Sequence, residues 1–317
     1  MGVNYMKLKV LFLKKKYLYY SLAIIAILVL TIIFMLSKKT TSTFSTIVDN
    51  TIKKADFTGD GKEDILYIKK TQNKYYVQVN TNDNSFMLEP DKKLNTLGNY
   101  YDYSPMELTL MDISRNKVPE IFIQSLEKET PVQHIFIWNN NKFEDIFCST
   151  NNFLGFMDSN NNKTPRVISG TIKENKIQLT NYMLINNKMQ TFSYNFKENF
   201  MGKDTALGFI KYIGTLPGGE STMPKDIFYP GLTGNDLATI GKLSGENNNY
   251  IFLNALFKDT KWNKAGEVSE IIWSLSFKGT SITSKDISKN YVLNLKLKPY
   301  GEDKDNFHYK IYSMSLE

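Results

Sequence analysis

A single cysteine, Cys148, stands in 317 residues, so no internal disulfide can form. An exported protein without disulfides suits a bacterial surface better than a eukaryotic secretory route. Cys148 sits in "EDIFCST", with neither histidine beside it, and reads as a small apolar packing residue rather than a nucleophile. Histidine is almost as scarce: His134 and His308 each lie in a strand-like pattern. There is no H-E-x-x-H and no G-x-S-x-G, which excludes the zinc-protease and nucleophile-elbow signatures. Phosphate loops fail as well. "GTLPGGEST" lacks the required lysine, and "GLTGNDLATIGK" has Asp236 where the first glycine of a P-loop would stand. These absences argue against an enzyme. A glycosidase alone escapes the filter, because its two acids can lie far apart in sequence.

Long apolar runs are also rare, with one exception. Residues 17–36, "YLYYSLAIIAILVLTIIFML", carry no charge over 20 positions. That is long enough to cross a hydrocarbon core of about 30 Å at ~1.5 Å per residue. Lys7, Lys9, Lys14, Lys15 and Lys16 precede it, and Lys38 and Lys39 follow, which orients residues 1–16 as a cytoplasmic basic tail. The competing reading is a cleaved signal peptide, but the run is too long for one and "SKKTTSTFS" offers no small-residue cleavage pattern. Either way the expectation is a single-pass membrane protein with residues 40–317 extracytoplasmic. The chain has 39 basic and 32 acidic residues; seven lysines and no acids fall in 1–39, so the remainder is balanced at 32 against 32. A balanced ectodomain gives no reason to expect a nucleic-acid partner.

What the sequence has in place of catalytic motifs is "DFTGDGKED" at 56–64. Three aspartates within nine residues repel one another unless a cation lies between them. Asp56, Thr58, Asp60 and Asp64, with the Lys62 carbonyl, can converge on one Ca²⁺, and Gly61 permits the sharp bend. An EF-hand would close with Glu at the twelfth position, which is Tyr67, and the flanks "ILYIKK" and "YYVQVN" read as strands. The alternative is a polar turn without metal. The loop recurs. A shift of 56 lays Asp112, Ser114, Asn116 and Glu120 on Asp56, Thr58, Asp60 and Asp64, and supplies a second, weaker candidate. A third copy at 158–166 keeps Asp158 but carries Arg166 at the closing position, so no metal is expected there. Each loop is followed by strands, and each unit approaches four antiparallel strands, which is one propeller blade.

"DFTGDGKEDILYI" resembles the FG-GAP/VCBS repeat, the calcium-loop blade of integrin-type β-propellers, over residues 46–200. The resemblance implies extracellular placement, structural Ca²⁺ held by Asp56, Thr58, Asp60, Lys62 and Asp64, and a binding role. Only three units can be counted, fewer than a closed propeller holds.

After 200 the texture changes. "GKDTALGFIKYIG" suits a short amphipathic helix capped by Asp204. Gly- and Pro-rich loops follow, then long strands with Ile271, Trp273, Leu275 and Phe277 on one face and Tyr291, Leu293, Leu295 and Leu297 on one face of the next. The expected fold is therefore mainly β. A transmembrane helix at 17–36 and a linker at 37–45 lead into propeller-like antiparallel repeats at 46–200. A smaller α+β domain, similar in order to a cystatin- or NTF2-like roll, occupies 201–317. Function is expected to be that of a membrane-anchored extracytoplasmic binding or scaffold protein with an unidentified protein or cell-wall ligand. The alternative is an anchored wall or glycan hydrolase with its site after 200. Tyr100, Tyr101 and Tyr103 in "NYYDYSP" are either a ligand surface or ordinary packing.

Overall fold

The structure, a computed structural model, describes residues 15–16, 45–48, 52–158, 165–192, 200–219, 222–234 and 236–317. The expected transmembrane segment at 17–36 lies outside the described residues, among which no helix is long and apolar enough to cross a membrane. The chain divides into two units, Met1–Thr43 and Phe44–Glu317, and the second holds the fold.

That fold is three antiparallel meanders and a long C-terminal sheet. Strand β1 (Ser45–Val48) precedes the first meander, β2 (Ile52–Ala55), β3 (Asp64–Thr71), β4 (Lys74–Asn80) and β5 (Ser85–Met87). The second is β6 (Glu107–Met111), β7 (Glu120–Glu127), β8 (Thr130–Asn139) and β9 (Lys142–Ser149), with β1 added antiparallel to β6 as a fifth strand. The third is β10 (Phe153–Met157), β11 (Arg166–Lys173), β12 (Lys176–Ile185) and β13 (Lys188–Phe192). In each unit the 56-type loop joins the first strand to the second, as the internal similarity implies. Among the described residues the sheets do not close into a barrel.

The hairpins follow from the asparagine content. The two-residue turns Gln72-Asn73, Asn140-Asn141, Glu174-Asn175 and Asn186-Asn187 have positive φ at both positions. That is the turn geometry whose twist matches a β-hairpin, and Asn tolerates it better than most side chains.

Alternation along the strands sets the stacking. Leu66, Ile68, Tyr75, Val77 and Val79 face Leu108, Leu110, Ile121, Ile123 and Phe136 of the second sheet in one core. The opposite face of that sheet sends Met111, Ile113, Phe122 and Ile135 against Leu154, Phe156, Val167 and Leu256 in another. The second sheet is thus covered on both faces, which is why "IFIQSL" and "HIFIWN" read as near-continuous runs rather than clean alternations.

The third meander does not end at 200. Its strand β10 pairs in parallel with β14 (Asn248–Trp262), which continues through β15 (Val268–Ser281), β16 (Ser288–Pro299) and β17 (Tyr309–Leu316) into one eight-stranded sheet. The two segments on either side of position 200 therefore share a sheet. Gly155 makes the junction feasible: a Cβ there would sit 2.2 Å from the Phe257 ring. Helix α1 (Lys203–Ile213) lays Ala206, Leu207, Phe209, Ile210 and Ile213 in the core that holds Trp273, Leu275, Leu293, Leu295 and Leu297. The Trp273 indole N–H, fully buried, donates to the Met201 carbonyl at 2.8 Å. A shorter helix, α2 (Ala238–Gly245), precedes β14. The expected cap of α1 is corrected. Gly202, at φ +68°, occupies that position, and Asp204 lies inside the first turn, where its charge complements the helix dipole instead.

Candidate metal centre

The first loop is built around two carboxylates. Asp56, half-buried, accepts the Gly59 N–H at Oδ1 (2.6 Å) and the Gly61 N–H at Oδ2 (2.8 Å). Gly59 and Gly61 stand at φ +78° and +83°, the left-handed bends that bring both amides back to one side chain. Asp60 Oδ1 accepts the Lys62 N–H at 2.8 Å. Asp64, at the head of β3, is 1% exposed; its Oδ2 accepts from the Phe57 N–H (2.9 Å) and the Thr58 hydroxyl (3.2 Å). Its Oδ1 is buried, with no hydrogen-bond partner among the described residues. Burial raises the Asp64 pKa, the Phe57 and Thr58 donors oppose that, and the charges of Asp60 and Asp56 add to the rise.

The second loop repeats this geometry with different residues. Glu120 takes the place of Asp64, and its Oε2 accepts the Ile113 N–H at 2.6 Å. Asp112 takes the place of Asp56, accepting the Asn116 and Lys117 N–H groups at 3.2 and 2.9 Å and the Ser114 hydroxyl at 3.3 Å. Asn116 Oδ1 accepts the Val118 N–H at 2.8 Å, as Asp60 does for Lys62. Even the bends match: Arg115 and Lys117, at φ +62° and +72°, occupy the positions of Gly59 and Gly61. Two non-glycine residues held left-handed are a strained arrangement that the surrounding hydrogen bonds must sustain. Glu120 is buried, and desolvation pushes its carboxyl up to about 7 against the Ser114 and Ile113 hydrogen bonds.

The loops are neighbours. A Cβ on Gly59 would come within 2.8 Å of the Val118 side chain. Beside the second loop is a cavity of about 20 Å³ lined by Ser114, Asn116, Glu120, Trp138 and Asn187. That is room for one water-sized occupant.

Among the described residues, no three His, Cys, Asp or Glu side chains converge on a point that a metal ion could share. Asp56 and Asp112 are turned to backbone amides instead. The donor set nonetheless suits a hard cation. It offers carboxylate, hydroxyl and amide oxygens only, and the buried Asp64 Oδ1 lacks the partner that a Ca²⁺ would supply. Residues 159–164 of the third loop lie outside the described residues. Its first residue, Asp158, donates its N–H to Asp259 Oδ2 at 2.7 Å, and the Arg166 guanidinium sits 5.7 Å from the centre of the Phe192 ring.

Other groups that sequence alone did not assemble lie elsewhere. His134, 1% exposed, has Nδ1 2.6 Å from Asp145 Oδ2 and Nε2 2.8 Å from the Thr96 carbonyl. The register between β8 and β9 shifts between Ile135 and Phe136, which sets Asp145 opposite Phe136, two residues along the strand from His134. This is a structural clamp, buried on all sides. A cavity of about 490 Å³ near β15 and β17 is lined by Met157, Glu267, Asp303, His308 and Tyr309. Burial, with Asp303, Glu267 and Asp259 nearby, pushes the Tyr309 phenol up to about 12. A third hollow, of about 290 Å³, has Tyr100 and Tyr101 in its wall.

No family model, curated protein or solved structure matches this chain.

Proposed function

We propose that this chain is a membrane-anchored, extracytoplasmic binding or scaffold protein whose β-repeat region is stiffened by Ca²⁺ at the 56–64 loop, with the 112–120 loop as a second, weaker site. The observation that carries the reading is the repetition of one hydrogen-bonding scheme in two adjacent loops, the first of them holding the buried Asp64 Oδ1 that lacks a partner among the described residues. Two unrelated turns would not share acceptors, bends and spacing at a constant shift of 56. In this reading Asp56, Thr58, Asp60, Asp64 and the Lys62 carbonyl hold the first ion, and Asp112, Ser114, Asn116 and Glu120 the second. Bound Ca²⁺ supplies positive charge to these carboxylates; the loop residues supply orientation, because the backbone amides already fix Asp56 and Asp112.

The three meanders are read as FG-GAP/VCBS-like blades stacked face to face, the last fused to the C-terminal sheet. The β14–β17 meander with α1 in its core is the part closest to a cystatin- or NTF2-like roll. Anchoring rests on residues 17–36, whose length, apolar content and flanking lysines suit a single span with the N-terminus cytoplasmic. The hydrolase alternative has one favouring observation. Glu267, Asp303 and His308 line the 490 Å³ cavity after position 200.

The test is thermal unfolding of the full chain in detergent, with Ca²⁺ and with chelator. An ion that binds only the folded state must raise Tm. Asp60→Ala should reduce that rise. Coincident melts with and without Ca²⁺ would remove the metal from the reading.

A further inference from the structure

We infer that the hollow beside Tyr100 and Tyr101 is a binding site for a neutral saccharide ring. The inference deepens the binding reading above and does not depend on Ca²⁺. Tyr100, Tyr101 and Asp102 come from the β5–β6 connection, and Asn290, Val292 and Glu317 from the C-terminal sheet. Together they enclose about 290 Å³, near the small end of the range for ligand pockets and suited to one ring rather than a chain.

The wall is aromatic and its rim is polar. Tyr101 stacks on Tyr103 with centroids 5.1 Å apart and planes 17° from parallel, which fixes it as a rigid plate. Tyr100 is braced edge-on by Tyr75 at 5.9 Å, and its hydroxyl donates to Asp102. Among the described residues the Tyr101 hydroxyl has no hydrogen-bond partner and remains available. Asn290 Oδ1 accepts the Ser276 hydroxyl at 2.9 Å, so its NH₂ group is left as a donor. Asp102 and Glu317 add acceptors. An apolar plate edged by donors and acceptors matches a sugar, which presents C–H groups on one face and hydroxyls around its edge.

Charge selects the neutral guest. Lys70 Nζ already lies 3.7 Å from the Tyr100 centroid, and Lys278 Nζ 4.1 Å from that of Tyr103. A further cation would meet these two ammonium groups, and an anion would meet Asp102 and Glu317.

Saturation-transfer NMR on the full chain, in a detergent without a sugar head group, tests this with four probes: glucose, N-acetylglucosamine, tetramethylammonium and glucose 6-phosphate. The expected result is transfer to ring protons of a neutral sugar, at least tenfold weaker binding in Tyr101→Leu, and weaker binding again for both charged probes. Asn290→Asp, at a half-exposed strand position, removes the amide donor and should weaken the sugar severalfold with Tm unchanged, which keeps the test valid if the tyrosine variant does not fold. Silence from both neutral sugars, preference for either charged probe, or unaltered sugar binding in the variants overturns the inference. A Ca²⁺-dependent melt that persists in that case leaves the metal reading standing, so the two failures are distinguishable.

Discussion

Replacing Glu120 by Gln should make the protein more stable at alkaline pH in the absence of Ca²⁺ and insensitive to Ca²⁺ at the second loop. Burial holds the Glu120 carboxyl at about 7 in the folded chain, against an ordinary 4.5. Native Glu120 therefore retains a proton that the unfolded chain releases. The associated stability is fully present below about pH 4.5 and is lost as pH rises through 7. At 1.36 kcal/mol per tenfold, the full swing is about 3 kcal/mol. Gln keeps the shape and still accepts the Ile113 N–H, but it does not ionise. In chelator, wild type and Glu120→Gln should melt together near pH 5 and diverge by several degrees at pH 8, with the variant higher, since about 1 kcal/mol moves Tm by roughly 2–4 °C in chains of this size class. Added Ca²⁺ should then raise wild type at pH 8 by more than it raises the variant, which keeps only the first loop's contribution, because the second ion binds the ionised Glu120 carboxylate. The assay is tryptophan-monitored melting from pH 5 to 8.5. Glu107→Gln serves as the control. Glu107 is also buried and pushed up to about 7 by desolvation, but it lies against Asn254 and Ser276, away from either loop, so it should show the same divergence in chelator and an unaltered response to Ca²⁺. A separation between wild type and Glu120→Gln that stays constant across pH in chelator would refute the reasoning.

Gly61→Ala should cost about 1 kcal/mol, the penalty of placing a Cβ at φ +83° with open space around it, and Gly59→Ala should cost more because its Cβ also meets Val118; urea denaturation measures both, and equal effects would contradict the loop packing. His134→Ala should destabilise by about 2 kcal/mol, since it leaves the Thr96 carbonyl without its imidazole partner and the Asp145 carboxylate with only the Asp91 and Phe147 N–H groups; an unchanged urea midpoint would show that the clamp carries no load.

The repeat was legible because its residues announce it locally. Asp, Asn, Gly and short β-rich runs recur at fixed spacing, and hydrogen bonds between side chains and near-neighbour amides turn that spacing directly into geometry. The long C-terminal strands were legible for the same reason: Trp273 and Leu295 sit on faces set by alternation alone. The fusion of the third meander with β14 was not. It joins residues about a hundred positions apart, and its enabling feature, Gly155 beneath the Phe257 ring, is a single small residue without a pattern around it. Glu107 in "MELTLM" looks like a solvent-facing strand charge, yet it is buried between sheets, because the second sheet is covered on both sides. The tyrosine hollow was half legible. Its aromatic wall stands together in "NYYDYSP", whereas Asn290, Val292 and Glu317 reach it only through tertiary packing.

Equilibrium dialysis of the full chain against Ca²⁺ at pH 8, counting ions bound per chain, tests the proposal of Ca²⁺ at the two acidic loops most directly. At least one ion should be retained by wild type and fewer by Asp64→Asn, with retention falling as pH drops below 7. Wild type that retains none at millimolar Ca²⁺, or as many in Asp64→Asn as in wild type, would contradict it.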